Sequence, residues 1–257
     1  MFQIPKVSYR NNNMGKLLSS ALSEIGFVII TDHPIKLQLI EQAYSSWKIF
    51  FNSTEKESYL PGTKKPKGFY DYWKESSEFK KLGIPKESFY YSEDQPFLGC
   101  HKNISLIIEK LYEELNLLSS KIIQLLCENS PPLVKIGIET GLSRGKYSSL
   151  RAIFSPPLEG NNLDIDFTDL IRNPAHQDID VLTLLPTATQ PGLQVFFEGK
   201  WINVVSNVGD IIINNGDTLN LLSNGFYKST THRVIYNEQS AFNPRYAMAF
   251  FIALGTL

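Results

Sequence analysis

Ala175-His176-Gln177-Asp178-Ile179-Asp180-Val181-Leu182-Thr183-Leu184-Leu185 joins two patterns. Two side chains able to hold a metal stand two positions apart, and an aliphatic run that reads as a buried strand follows them. On extended backbone, residues i and i+2 point to the same side, so His176 and Asp178 can converge on one point. Working outward, the chain from Gly145 onward breaks into short strand-like segments at 148–154, 181–186, 193–198, 200–205, 209–214, 217–222, 230–236 and 245–253. The connectors carry turn chemistry: Gln190-Pro191-Gly192, Glu198-Gly199-Lys200, and Asn215-Gly216-Asp217, whose Asn-Gly is a strong hairpin signal. Short strands at this spacing point to a β-sandwich or barrel.

The first half has a different texture. Leu17, Leu18, Ala21, Leu22 and Ile25 recur at helical spacing, and Gly26-Phe27-Val28-Ile29-Ile30-Thr31-Asp32 reads as a short buried strand. Helical periodicity returns over 35–52 through Leu39, Ile40, Ala43, Trp47 and Phe50. The longest predicted helix covers 103–128; Pro131-Pro132 ends it, and a shorter helix is expected over 134–139. Helices and strands in separate blocks argue against a doubly wound sheet and for an α+β chain. We expect a mostly helical region, 1–145, integrated with a β core, 146–257.

Composition bounds the function. Of 257 residues, 42% are hydrophobic and 20% charged, and a formal net charge of −1 gives no global field toward nucleic acid or an anionic membrane. Lys64, Lys65, Lys67, Lys80 and Lys81 read as solvated loop residues. Cys100 and Cys127 form no disulfide framework or CxxC pair, which favours a reducing, cytoplasmic setting. The N-terminus lacks a secretory pattern, and no apolar run approaches the ~20 residues of a membrane helix. A monomer acting on a small molecule, with no nucleic-acid or membrane partner, is expected.

With four histidines present, a His-x-Asp alone carries little weight, because accident produces one readily. His232 changes this: a returning strand can deliver it to the same point, and two imidazoles with one carboxylate form the facial triad of non-haem iron sites. A zinc hydrolase fits less well, lacking a dedicated general base.

Beyond the triad, the stretch from His176 to Leu185 resembles the metal-binding strand of the isopenicillin N synthase-like oxygenases. Gly192-Leu193-Gln194-Val195 with Trp201-Ile202-Asn203-Val204, and Asn207-Val208-Gly209-Asp210 before Asn215-Gly216-Asp217, are similar to later segments of that family. So is Leu222-Ser223-Asn224-Gly225-Phe226-Tyr227-Lys228-Ser229-Thr230-Thr231-His232-Arg233-Val234. Ile4-Pro5, Gly26-Phe27 to His33, Lys67-Gly68-Phe69 and Glu87-Ser88-Phe89 resemble its N-terminal part, which makes His33 structural; His101 has no partner in the pattern. The resemblance implies a double-stranded β-helix, or jelly roll, that binds Fe(II) through His176, Asp178 and His232 and reacts with dioxygen.

It also implies 2-oxoglutarate as co-substrate, its distal carboxylate paired with Arg245, since a guanidinium fork binds a carboxylate bidentately. Two positions depart from the family: Ala247 stands where a serine gives a second hydrogen bond, and Ser155 where a tyrosine precedes Pro-Pro. Relatives such as isopenicillin N synthase use no 2-oxoglutarate, so an iron oxidase of the same fold and a non-catalytic metal-binding relative stay as alternatives. Phe69, Tyr70, Phe89 and Arg151 are expected to face substrate. The aromatics of the 55–95 segment, Tyr72, Trp73, Tyr90 and Tyr91 included, serve either as a lid or as packing on the barrel. Many relatives continue into a C-terminal helix over the site; here that segment takes its place, or the site is open.

Overall fold

A computed structural model describes residues 2–59, 68–71, 85–92, 102–143, 145–158, 170–238 and 240–254. The lysines noted above, Tyr72, Trp73, Cys100 and His101 lie outside the described residues.

Twelve strands lie in two sheets among the described residues. The larger has the order β1 (Lys6–Ser8), β2 (Phe27–Thr31), β10 (Ile211–Asn215), β7 (Leu182–Pro186), β12 (Arg245–Leu254), β5 (Lys146–Ser155), β4 (Glu87–Tyr91), β3 (Gly68–Asp71). The smaller has β6 (Ile171–His176), β11 (His232–Ile235), β8 (Leu193–Phe197) and β9 (Lys200–Asn203). Consecutive core strands alternate between the sheets from β5 to β8 and again from β10 to β12, which is the double-stranded β-helix. Helices α1 (Met14–Glu24), α2 (Leu37–Asn52), α3 (Lys102–Asn129) and α4 (Pro132–Leu142) follow the expected periodicity. The N-terminal region is not only helical: β1 to β4 extend both edges of the larger sheet.

Period-two alternation decides what each strand shows to each side. On β12, Tyr246, Met248, Phe250 and Ile252 enter the core shared with the helices, whereas Arg245, Ala247, Ala249 and Phe251 line a cavity between the sheets. β5 pairs with it antiparallel from Arg245↔Ser155 to Leu254↔Lys146, and Ser149, Arg151, Ile153 and Ser155 face the same cavity. On the helix side, α3 buries Ile104, Ile108, Leu111, Leu115, Leu118 and Ile122. Each such side chain contributes about 1.5–3 kcal/mol on full burial. A smaller cluster of Phe27, Ile29, Val195 and Ile212 closes one end between the sheets.

Two expectations are corrected. Residues 217–222, read as a strand, form a short helix, α5 (Asp217–Leu222), and Asn215-Gly216 is no hairpin: Gly216 is the N-cap of that helix. β6 was not expected from the sequence. It is an edge strand, which is where Pro174, lacking an N–H, is tolerated.

Candidate metal centre

His176 ends β6, and the ladder sets it directly opposite His232, the first residue of β11. The two imidazoles lie side by side, centroids 4.3 Å apart. Asp178 lies beyond the end of the strand, in the loop after β6, where it is buried. Its Oδ1 is 3.6 Å from His176 Nε2 and 3.8 Å from His232 Nε2. Those separations are too long for hydrogen bonds, yet one ligand atom from each residue lies within 4.8 Å of the others.

The outward-facing atoms of all three residues are occupied. Nδ1–H of His176 donates to Pro174 O at 2.8 Å, and Nδ1–H of His232 to Thr230 O at 3.1 Å. That assignment leaves each Nε2 with its lone pair toward the centre. Asp178 Oδ2 accepts from Thr183 Oγ1 at 2.6 Å and Asn214 Nδ2 at 2.8 Å, so Oδ1 is the free oxygen. Burial alone would raise the Asp178 carboxyl; the facing imidazoles and these two donors outweigh it and hold it well below the usual carboxylate range. Burial likewise lowers the His232 imidazole, favouring its neutral form. Metal ligands must be deprotonated, and Asp178 and His232 are disposed to be so. Two nitrogens and one hard oxygen on one side of a centre fit iron(II).

The backbone around the triad is pinned from two directions. Asp217 N–H donates to Asp178 O at 2.7 Å, and Thr218 N–H to Ile179 O at 3.1 Å. The ligand loop thus satisfies the first free N–H groups of α5. Gly216 permits this approach, because a β-carbon there would lie 1.9 Å from Asp180 O. On the other side Thr230 Oγ1 donates to Ile25 O at 2.6 Å, and Phe27 sets its ring edge to His232 at 5.4 Å. His33 is structural, its Nε2 2.6 Å from Gly209 O.

A cavity of about 1370 Å³ runs from the triad between the sheets. Arg245 lines it. Its Nε–H donates to Gln190 O at 3.0 Å, while its terminal amino groups have no protein acceptor among the described residues. Burial lowers the guanidinium to about 10, so it stays charged at neutral pH. Ser155 stands opposite it across the β5–β12 ladder, and Ala247 shares its face.

Of the expected substrate-facing residues, Arg151 lines the cavity, with Nε and Nη2 donating to Ser88 Oγ and its guanidinium over Tyr90. Phe69 and Phe89 do not. They are 2% and 1% exposed and pack on Phe50, with Phe89 also against Trp47, because alternation on β3 and β4 turns them toward α2. Tyr70 is half-buried, edge-on to the Tyr90 ring, and is not among the cavity residues. Sequence reading missed Thr183 and Asn214, the donors to Asp178. Asn214 was visible as a polar residue on the face of Ile212 in an aliphatic strand.

The fold and triad together form a facial His-Asp-His cluster able to hold a metal on a double-stranded β-helix. Residues 148–254 match the 2OG-Fe(II) oxygenase superfamily, and residues 6–106 match the N-terminal region described for a non-haem dioxygenase in morphine synthesis. The chain belongs to the 2-oxoglutarate/Fe(II) oxygenase superfamily. It is 26% identical to gibberellin 20 oxidase 3 of Arabidopsis thaliana over 92% of its own length and 63% of that protein. With jasmonate-induced oxygenase 4 of the same plant it shares 28% identity over 92% of its own length and 67% of the relative. The crystal structure of a candidate oxygenase from Shewanella oneidensis superposes with a TM-score of 0.83 at 28% identity, covering 98% of this chain and 91% of that one. The chain spans less than two thirds of the first of these plant relatives.

Proposed function

We propose that the protein is an Fe(II)- and 2-oxoglutarate-dependent oxygenase that oxidises a small or medium-sized metabolite. One observation carries this reading. A single cavity joins a His-Asp-His centre with its outward atoms satisfied to a buried arginine whose terminal donors are unsatisfied. When bound, iron(II) and 2-oxoglutarate supply the redox chemistry: dioxygen is split, the keto acid becomes succinate and carbon dioxide, and a substrate C–H becomes oxidised.

The chain's own residues do the rest. His176, His232 and Asp178 Oδ1 hold the metal on one side, leaving the cavity side for ligands. Arg245 binds and orients the far carboxylate of the co-substrate. Ile153, Leu185, Val234 and Phe251 give the cavity apolar wall that limits water around the reacting groups. The gibberellin oxidase among the relatives supports a metabolite-sized substrate. No helix among the described residues is long and apolar enough to cross a membrane. We take the chain to act as a monomer in a reducing compartment.

Ala247 and Ser155 favour one second reading, an iron oxidase of the same fold in which Arg245 holds a carboxylate of the substrate itself. Anaerobic titration separates the two. Iron(II) followed by 2-oxoglutarate gives a visible charge-transfer band if the keto acid chelates. Tight iron binding without that band refutes the first reading and supports the second.

A further inference from the structure

We infer that Arg172 is a positioning residue for the co-substrate carboxylate, acting through Arg245; this rests on the 2-oxoglutarate reading above. Arg172 lies on β6 and is only 1% exposed. Its Nη1 donates to Ser155 O and Pro156 O, both at 3.2 Å, and its Nη2 to Ser240 O at 2.9 Å and Asn243 O at 3.0 Å. All four terminal hydrogens are therefore spent on neutral carbonyls, and the guanidinium lies 3.9 Å from the centre of the Tyr236 ring.

Those four carbonyls are not scattered. Ser155 is the register partner of Arg245, and Asn243 stands two residues before Arg245 in the turn that launches β12. One side chain thus fixes both backbones that set the Arg245 stem. A planar fork with five N–H groups can do this; an ammonium with three cannot.

Charge is the second part. Neither Arg172 nor Arg245 forms an ion pair among the described residues, and each is buried beside the cavity. The charge of Arg172 adds to the effect of burial in lowering the Arg245 guanidinium. Two buried cations without a carboxylate are costly until an anion arrives. An incoming distal carboxylate pairs with Arg245 and so relieves the repulsion between the two cations, which offsets the serine and tyrosine contacts replaced at positions 247 and 155.

The test uses the iron(II)-loaded full chain under anaerobic conditions, reading keto-acid affinity from the charge-transfer band. Arg172→Gln raises the Kd for 2-oxoglutarate at least tenfold. It leaves the Kd for pyruvate, which has the chelating head but no distal carboxylate, unchanged, along with iron stoichiometry. In an Arg245→Ala background the same substitution changes the 2-oxoglutarate Kd less than twofold, because the effect runs through Arg245. Equal losses for both keto acids, or the full tenfold loss without Arg245, reduce Arg172 to a general structural clamp and overturn the inference. Should Arg172→Gln fail to fold, Arg172→Lys decides. It keeps the charge but not the four-carbonyl clamp, and is expected to weaken 2-oxoglutarate about threefold with pyruvate unaffected. An unchanged 2-oxoglutarate Kd there overturns the inference. A wild type with a pyruvate band but none for 2-oxoglutarate, or with no band at all, sinks the parent reading and this one together. A normal wild-type band with unaffected variants sinks this one alone.

Discussion

The two ends of the cavity are built on opposite plans. At the metal end each outward-facing polar atom of a ligand has its partner: two imidazole N–H groups on carbonyls, one carboxylate oxygen on a hydroxyl and an amide. At the arginine end two buried guanidiniums face each other's charge, and one keeps its terminal donors open. The contrast shows where binding free energy is stored. On the proposed reading the metal end is preorganised by these hydrogen bonds, with Asp178 held ionised and burial favouring neutral His232, so an ion would enter with little rearrangement. On the same reading the arginine end is destabilised until a carboxylate fills it, which would place selectivity among keto acids there.

The largest expected effect breaks the metal end outright. Asp178→Ala removes the only ligand oxygen of the triad and leaves no stoichiometric iron after desalting, measured by metal analysis. Retained iron would show the ligand set is wrong. Arg245→Ala should leave iron untouched and act only at the other end. Two charge-assisted hydrogen bonds at roughly 1.5–3 kcal/mol each correspond to a rise in 2-oxoglutarate Kd of about 10²–10⁴-fold. If iron and keto acid weaken together, the two ends are not independent and the comparison fails.

Smaller changes sharpen it. Asn214→Ala removes one donor from Asp178 Oδ2 while Thr183 keeps the other. Partners that orient a ligand usually matter by roughly 10–100-fold in metal affinity, so iron should weaken by that much with the fold intact by circular dichroism. Gly216→Ala tests the loop beneath the triad. The added β-carbon collides with Asp180 O. Overpacking of this kind costs about 1–3 kcal/mol, or roughly 3–10 °C in melting temperature. Iron should weaken as well, since Asp178 O is held by the neighbouring Asp217 N–H.

These residues also mark how far the sequence could be read. The triad was legible because its spacing and flanking strands are local patterns, and the helix periodicities of α1 to α4 held for the same reason. Residues 217–222 were misread because Leu219 and Leu221 alternate as in a strand. What makes the segment helical is tertiary: its first N–H groups find carbonyls on the ligand loop. Phe69 and Phe89 were legible as aromatic but not as facing α2, a choice set by the register of β3 and β4 against β5. Arg172, in a strand with Asn173 and Pro174, gave no signal at all; its meaning lies in four carbonyls remote in the chain.

The smallest effect probes the departure at the arginine end directly. Ala247 lines the cavity two residues from Arg245 on the same face of β12. Ala247→Ser therefore places a hydroxyl beside the bound carboxylate with the addition of one oxygen atom. A net hydrogen bond of about 0.5–1.5 kcal/mol tightens 2-oxoglutarate by roughly 2- to 12-fold, with iron affinity and the pyruvate Kd unmoved. Loss of affinity instead would mean that the wall at Ala247 already contacts the carboxylate's carbon chain, and that the arginine end is closed around its ligand by shape as well as charge.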